Sequence, residues 1–113
     1  MKRKIIIVLI LCLAIAATLL DYVHKVILPS QIKRIILESL VTPPRWGGRH
    51  TEIKNIKKGF PSNISNSKEG QKLIEKAIKE LINDGWILCK KSTGELHVSL
   101  NPHMKKEIME FLR

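Results

Sequence analysis

Between Ser67 and Leu100 the chain spells out a helix, an abrupt stop and a hairpin, and no other segment restricts its fold so strongly. Leu73, Ile74, Ala77, Ile78, Leu81 and Ile82 recur at the spacing of one apolar stripe on a helix. Asn83 and Asp84 lead into Gly85, the residue type that closes helices in the left-handed conformation. Trp86-Ile87-Leu88-Cys89 and Leu96-His97-Val98-Ser99-Leu100 then read as two strands around the polar turn Lys90-Lys91-Ser92-Thr93-Gly94-Glu95. A helix that runs straight into a short hairpin is how a winged helix ends, a fold used mostly on nucleic acids.

The rest of the chain can be ordered around that segment. Pro29 breaks what precedes it, and Ser30 is placed to cap a helix from Gln31 to Val41 with Ile32, Ile35, Ile36 and Leu40 on one face. Thr42-Pro43-Pro44 ends it, because a residue before proline is pushed out of helical space. Arg45-Trp46-Gly47-Gly48-Arg49-His50 reads as a loop or short edge strand, and Thr51 as the cap of a brief helix carrying Ile53 and Ile56. Ser62-Asn63-Ile64-Ser65-Asn66-Ser67 is a polar connector rich in cap formers. After the hairpin, Asn101 caps and Pro102 opens a last helix whose apolar side is Ile108, Met109, Phe111 and Leu112. The order predicts an α+β, mostly helical body, a winged helix-turn-helix domain over residues 29–113.

Gly47-Gly48-Arg49-His50-Thr51-Glu52-Ile53, then Lys58-Gly59-Phe60-Pro61 and Leu96-His97-Val98-Ser99-Leu100-Asn101-Pro102, resemble a group of small archaeal winged-helix proteins of unassigned role. The resemblance covers about residues 43–113 and not the leader. It implies a fold and brings no reaction with it. The Pro61–Ser67 connector departs from the pattern, being longer than the turn of a simple helix-turn-helix, and this alters the docking angle expected of the helix that follows.

Residues 1–28 are of a different kind. Lys2-Arg3-Lys4 precede an uncharged run from Ile5 to Leu20, which spans roughly 24 Å as a helix against a bilayer core of about 30 Å. Snorkelling of the basic cluster and an interfacial Tyr22 can supply the difference, and Val23, Val26, Ile27 and Leu28 can prolong the helix as a stalk. Three readings stay open: a single-pass anchor, a secretory signal cleaved near Ala14-Ile15-Ala16, and a helix buried in a dimer or against the body. The basic residues do not decide orientation, since Lys2, Arg3 and Lys4 favour a cytoplasmic N-terminus while Lys25, Lys33 and Arg34 pull the other way. Met1 is followed by no methionine before Met104, so a start near Pro29 would need a non-AUG codon.

Charge belongs to the body. The chain carries 20 Lys and Arg against 10 Asp and Glu, and residues 22–113 retain 17 against 9. Such an excess favours polyanions, either nucleic acid or an anionic membrane surface. The candidate nucleic-acid contacts are Asn66, Ser67, Lys68, Gln71, Lys72 and Lys76 on the long helix, Lys90 and Lys91 on the hairpin, and Arg45 and Arg49 beside Trp46 and His50. Lysine suits phosphate, and Gln71 is the best base reader because an amide can bind the adenine edge in two places. The alternative for the helix is an ordinary solvated face laced by Glu75–Lys79 and Lys72–Lys76–Glu80 pairs, and for the hairpin a charged edge that discourages strand association.

Signs of catalysis are missing. His24, His50, His97 and His103 with Cys89 form no CxxC, HxxxH or HExxH spacing, and no phosphate loop or nucleophile elbow occurs. Cys12 and Cys89 make no disulfide framework. The expectation is a non-enzymatic DNA-binding module without cofactor, metal or small-molecule substrate, tethered through residues 5–20 and capable of homodimerising. The alternative is a membrane-anchored domain that holds a protein or lipid and has no nucleic-acid role. The basic body must lie in the cytoplasm to meet DNA.

Overall fold

The computed structural model describes residues 2–22 and 28–113, and it divides into two compact units, residues 1–30 and 31–113. The first unit is built on α1 (Lys2–Tyr22), none of whose residues is buried. At 1.5 Å per residue its 21 residues extend roughly 32 Å, so the helix continues past the uncharged run and covers the thickness of a bilayer core. The Thr18 hydroxyl is satisfied within the helix, donating to the Ala14 carbonyl at 2.8 Å. The suggested stalk at Val23, Val26 and Ile27 lies outside the described residues.

The helix α2 (Leu28–Val41) begins in the first unit and runs on into the second, whose other helices are α3 (Ile53–Lys57), α4 (Ser62–Ser65), α5 (Lys68–Asn83) and α6 (Lys105–Leu112). The strands of the second unit are β1 (Thr51–Glu52), β2 (Ile87–Ser92) and β3 (Glu95–Leu100), which form an antiparallel sheet in the order β1-β3-β2. The class is α+β with an apolar helix in front. Thr51 stands opposite Val98 and Ile87 opposite Leu100, so these four share the inner face of the pleat. The core joins that face to buried Ile74, Ala77, Ile78 and Leu81 of α5, which packs against β2, and includes buried Ile32, Ile36, Leu37 and Leu40 of α2. Ile56, Phe60 and Ile108 complete the core. Each of these large side chains contributes about 1.5–3 kcal/mol by leaving water.

Several local expectations need correcting. Ser30 does not cap a helix, because α2 already begins at Leu28 and Pro29 sits in its first turn, where a missing N–H is harmless. Leu37 is buried and Ile35 only partly so, which rotates the apolar face of α2 from the one read in the sequence. Thr51 is a strand residue, and its hydroxyl accepts from the Asn55 amide at 3.0 Å instead of capping a helix. The polar connector contains a helical turn of its own, α4. The hairpin is longer and its turn tighter than expected, with only Thr93 and Gly94 between the strands, at φ +52° and +78°. Two positive φ values in a two-residue loop match the right-handed twist of the strands it joins.

Other signals translate directly. Ser67 caps α5, its Oγ accepting from Gly70 N at 2.9 Å. At the far end Gly85 adopts φ +75°, and Trp86 N and Gly85 N donate to the Leu81 and Ile82 carbonyls, the double bond pattern that stops a helix sharply. Asn101 caps a 3₁₀ turn (Pro102–Met104) that leads into α6, and its Nδ2 also donates to the Gly85 carbonyl at 2.7 Å. One side chain thus ties the end of α5 to the end of β3. Arg34 of α2 closes the unit, donating to the Phe111 and Leu112 carbonyls at 2.7 and 2.9 Å with its guanidinium over the Phe111 ring. These are carbonyls that the last turn of a helix leaves unpaired.

Candidate nucleic-acid interface

The entrance to α5 is built by close approach. A Cβ at Gly70 would lie 2.0 Å from the Ile64 carbonyl oxygen and 2.7 Å from Ser67 Oγ, so only glycine lets the end of α4 settle against the first turn of α5. Ser67 Oγ also donates to the Ile64 carbonyl at 3.2 Å, and Gln71 Nε2 donates to the Ser65 carbonyl at 2.9 Å. Glycine inside a helix weakens it by about 1 kcal/mol, and that cost is the signal by which the sequence marks this contact.

From this entrance α5 carries an exposed face of Lys68, Gln71, Lys72, Glu75, Lys76 and Lys79. Lys68, Lys72 and Lys76 succeed one another at four-residue intervals and so lie in one row. The suggested pairing within this face does not form: no carboxylate comes within 4.0 Å of any of these lysines among the described residues, and Glu80 turns to Lys33 of α2 at 2.7 Å. The Lys33 ammonium beside it holds the Glu80 carboxyl below its ordinary range. Like charges four apart destabilise a helix by about 0.2–0.5 kcal/mol per pair, and Glu80, whose carboxyl Lys76 also helps to hold low, offsets part of this at one end of the Lys68–Lys72–Lys76 row.

The other candidates fall in different places. Asn66 ends α4 and is exposed, while Ser67 is occupied as a cap and Gln71 has given one amide hydrogen to Ser65. Lys90 and Lys91 are neighbours on β2 and therefore point to opposite faces of the hairpin. Lys91, opposite Leu96, lies on the side that packs against the helices; Lys90, opposite His97, lies on the outer side. Arg45 lines a cavity of about 190 Å³ with Ser39, Pro43, Thr51, Asn55 and Ile56, and Arg49 stands exposed on the loop beyond it. No hydrogen bond or ion pair joins the helix, hairpin and loop candidates among the described residues.

Trp86 and Trp46 belong to the scaffold. Trp86 meets Phe111 edge to face with centroids 5.7 Å apart, and Trp46 bridges to Leu100 with the Lys105 ammonium 5.7 Å above its ring. On the outer face of the sheet, Lys54 Nζ stands 2.8 Å from Glu52 Oε2 and 3.7 Å from Glu95 Oε2, and its ammonium is the main reason the Glu52 carboxyl titrates low. Beside this cluster His50 and His97 meet with Nδ1 atoms 2.9 Å apart. They are 47 residues apart in sequence, and only the pairing of β1 with β3 brings them together. Both cysteines are free and exposed. Compared with known proteins, the chain matches no family model, no curated protein and no solved structure.

Proposed function

We propose that residues 31–113 are a winged helix-turn-helix module that binds duplex DNA through α5, with α1 tethering it to a membrane. The row Lys68–Lys72–Lys76 carries this reading, since it is exposed, makes no close ion pair among the described residues and aligns three like charges that a phosphate backbone can neutralise. Support comes from the order of α2, β1, α3, α5 and the hairpin, and from a sheet whose outer strands both pair with β3. Lys91 is the hairpin residue on the α5 side and joins the capture surface, while Gln71, still holding a free carbonyl, is the base reader. The action is electrostatic capture without chemistry.

The test is binding of labelled duplex by the full chain in lipid nanodiscs across a salt series. Replacing Lys72 and Lys76 with alanine weakens binding on all sequences and reduces the slope of log affinity against log salt by about one for each lysine removed. Unchanged affinity and slope would defeat the assignment.

A second reading follows from α1, which is apolar on every side and of spanning length. If that helix places the body on the far side of the membrane, the module serves as an interaction domain for a protein or for anionic headgroups. A reporter fused after Arg113 separates the two, because a body outside the cytoplasm has no access to DNA.

A further inference from the structure

The outer face of the hairpin carries a feature that DNA capture by α5 does not use. His97 of β3 and His50, on the loop before β1, face each other with Nδ1 atoms 2.9 Å apart and ring planes 87° apart, their centroids separated by 4.8 Å. Without a metal this contact is an N–H···N hydrogen bond, one ring donating and the other accepting. The same spacing suits another occupant. Imidazole nitrogens bind first-row metals at about 2.0–2.1 Å, so two of them at a right angle around one ion stand about 2.9 Å apart, whereas a tetrahedral ion spreads them to about 3.3–3.4 Å. In the hydrogen bond the two Nδ1 atoms face each other, so each ring must rotate by about 45° for both lone pairs to meet an ion beside the N···N line.

The surroundings allow an ion to complete its coordination. A shallow cavity of about 230 Å³ opens beside the pair, lined by Gly47, Gly48, Lys90 and Ser99 among others. A Cβ at Gly48 would meet nothing within 4 Å, so there is room for water at the remaining positions. Glu52 stands opposite His97 on β1 and Lys90 opposite it on β2, with Lys54 and Glu95 on the same face, so the two carboxylates offset the two ammonium groups. Among the described residues no group of three or more His, Cys, Asp or Glu gathers to hold a metal, and the protein's share of the site is therefore two ligands.

We propose that His50 and His97 chelate one divalent ion of the imidazole-favouring, right-angled kind, Ni²⁺ or Cu²⁺, through their Nδ1 atoms, with water filling the other positions. Binding moves the donor ring's proton from Nδ1 to Nε2 and replaces the N–H···N bond by two metal bonds. The ion then cross-links the Gly47–His50 loop to the hairpin and fixes Arg49 beside the sheet.

Titration of the full chain in detergent micelles with Ni²⁺ by calorimetry tests this. The expected result is one strong site per chain. His50→Gln and His97→Gln each weaken it by at least about tenfold, and His103→Gln leaves it unchanged. Lys90→Glu, which puts a carboxylate opposite His97 and leaves both ligands in place, tightens binding by about threefold or more. Circular dichroism on each variant verifies that the fold survives. Wild-type binding no stronger than that of the double histidine variant would mean that the pair is a hydrogen bond only, and would overturn the proposal. Full retention of the site in either single histidine variant, or no tightening by Lys90→Glu, would overturn it equally.

Discussion

The helices α1 and α5 show how differently two apolar segments of one chain meet their surroundings. Over its most apolar window α1 has a mean hydropathy of 2.7, and not one of its residues is buried. The shorter α5 concentrates its apolar residues in one stripe and buries Gly70, Ile74, Ala77, Ile78 and Leu81. A helix apolar all round needs a uniform apolar medium, whereas a striped one needs a single neighbour and tolerates water behind it. The stability of the body therefore draws on α5, whereas α1 buries none of its own residues.

The sharpest way to break this comparison is to truncate one leucine in each helix. Leu81, 2% exposed, lies on the buried stripe of α5, and Leu81→Ala removes about 2–5 kcal/mol from the stability of the body in thermal or denaturant unfolding. Leu13→Ala in α1, at 71% exposure, leaves the unfolding of the body unchanged. An equal loss from both would show that α1 belongs to the core after all.

A finer test concerns the α4–α5 junction. Gly70→Ala forces a methyl group into the Ile64 carbonyl and costs about 1–3 kcal/mol, although alanine favours helices over glycine by about 1 kcal/mol. Stabilisation by this change would mean that α4 does not seat against α5.

The smallest effect comes from acid. Because Lys33 holds the Glu80 carboxyl below its ordinary 4.5, the pair's stabilisation is complete above that value and is lost as pH falls through the lowered one. Lys33 and Glu80 are 24% and 40% exposed, so water screens the pair and its contribution is below about 1 kcal/mol. Glu80→Gln should lower the melting temperature slightly at neutral pH and flatten its decline toward pH 3 or so. An acid limb as steep as the wild type's would assign the decline to other carboxylates.

What could be read from the sequence was what neighbouring residues settle among themselves. The α5 stripe, the Gly85 stop and the Asn101 cap are each local, and each appears where its residues announce it. The strand role of Thr51 depends on Val98, and the loss of Glu80 from the α5 surface depends on Lys33. Arg34 reaches residues 77 and 78 positions away. Such contacts leave no periodic trace in the chain. For the candidate site, the lysine row was visible as spacing, while the divergence of Lys90 from Lys91 needed the hairpin register. The meeting of His50 with His97 needed a strand of two residues that sequence reasoning read as the start of a helix.

The Arg34 clasp has a consequence for the order of events during synthesis. It joins α2, among the first residues of the body to leave the ribosome, to Phe111 and Leu112, among the last, and buried Ile108 arrives only just before them. Domains fold as units once their chain has emerged. The body therefore stays open until its final turn of helix appears. The basic surface of α5 thus takes its final form only when Phe111 and Leu112 are free to receive Arg34.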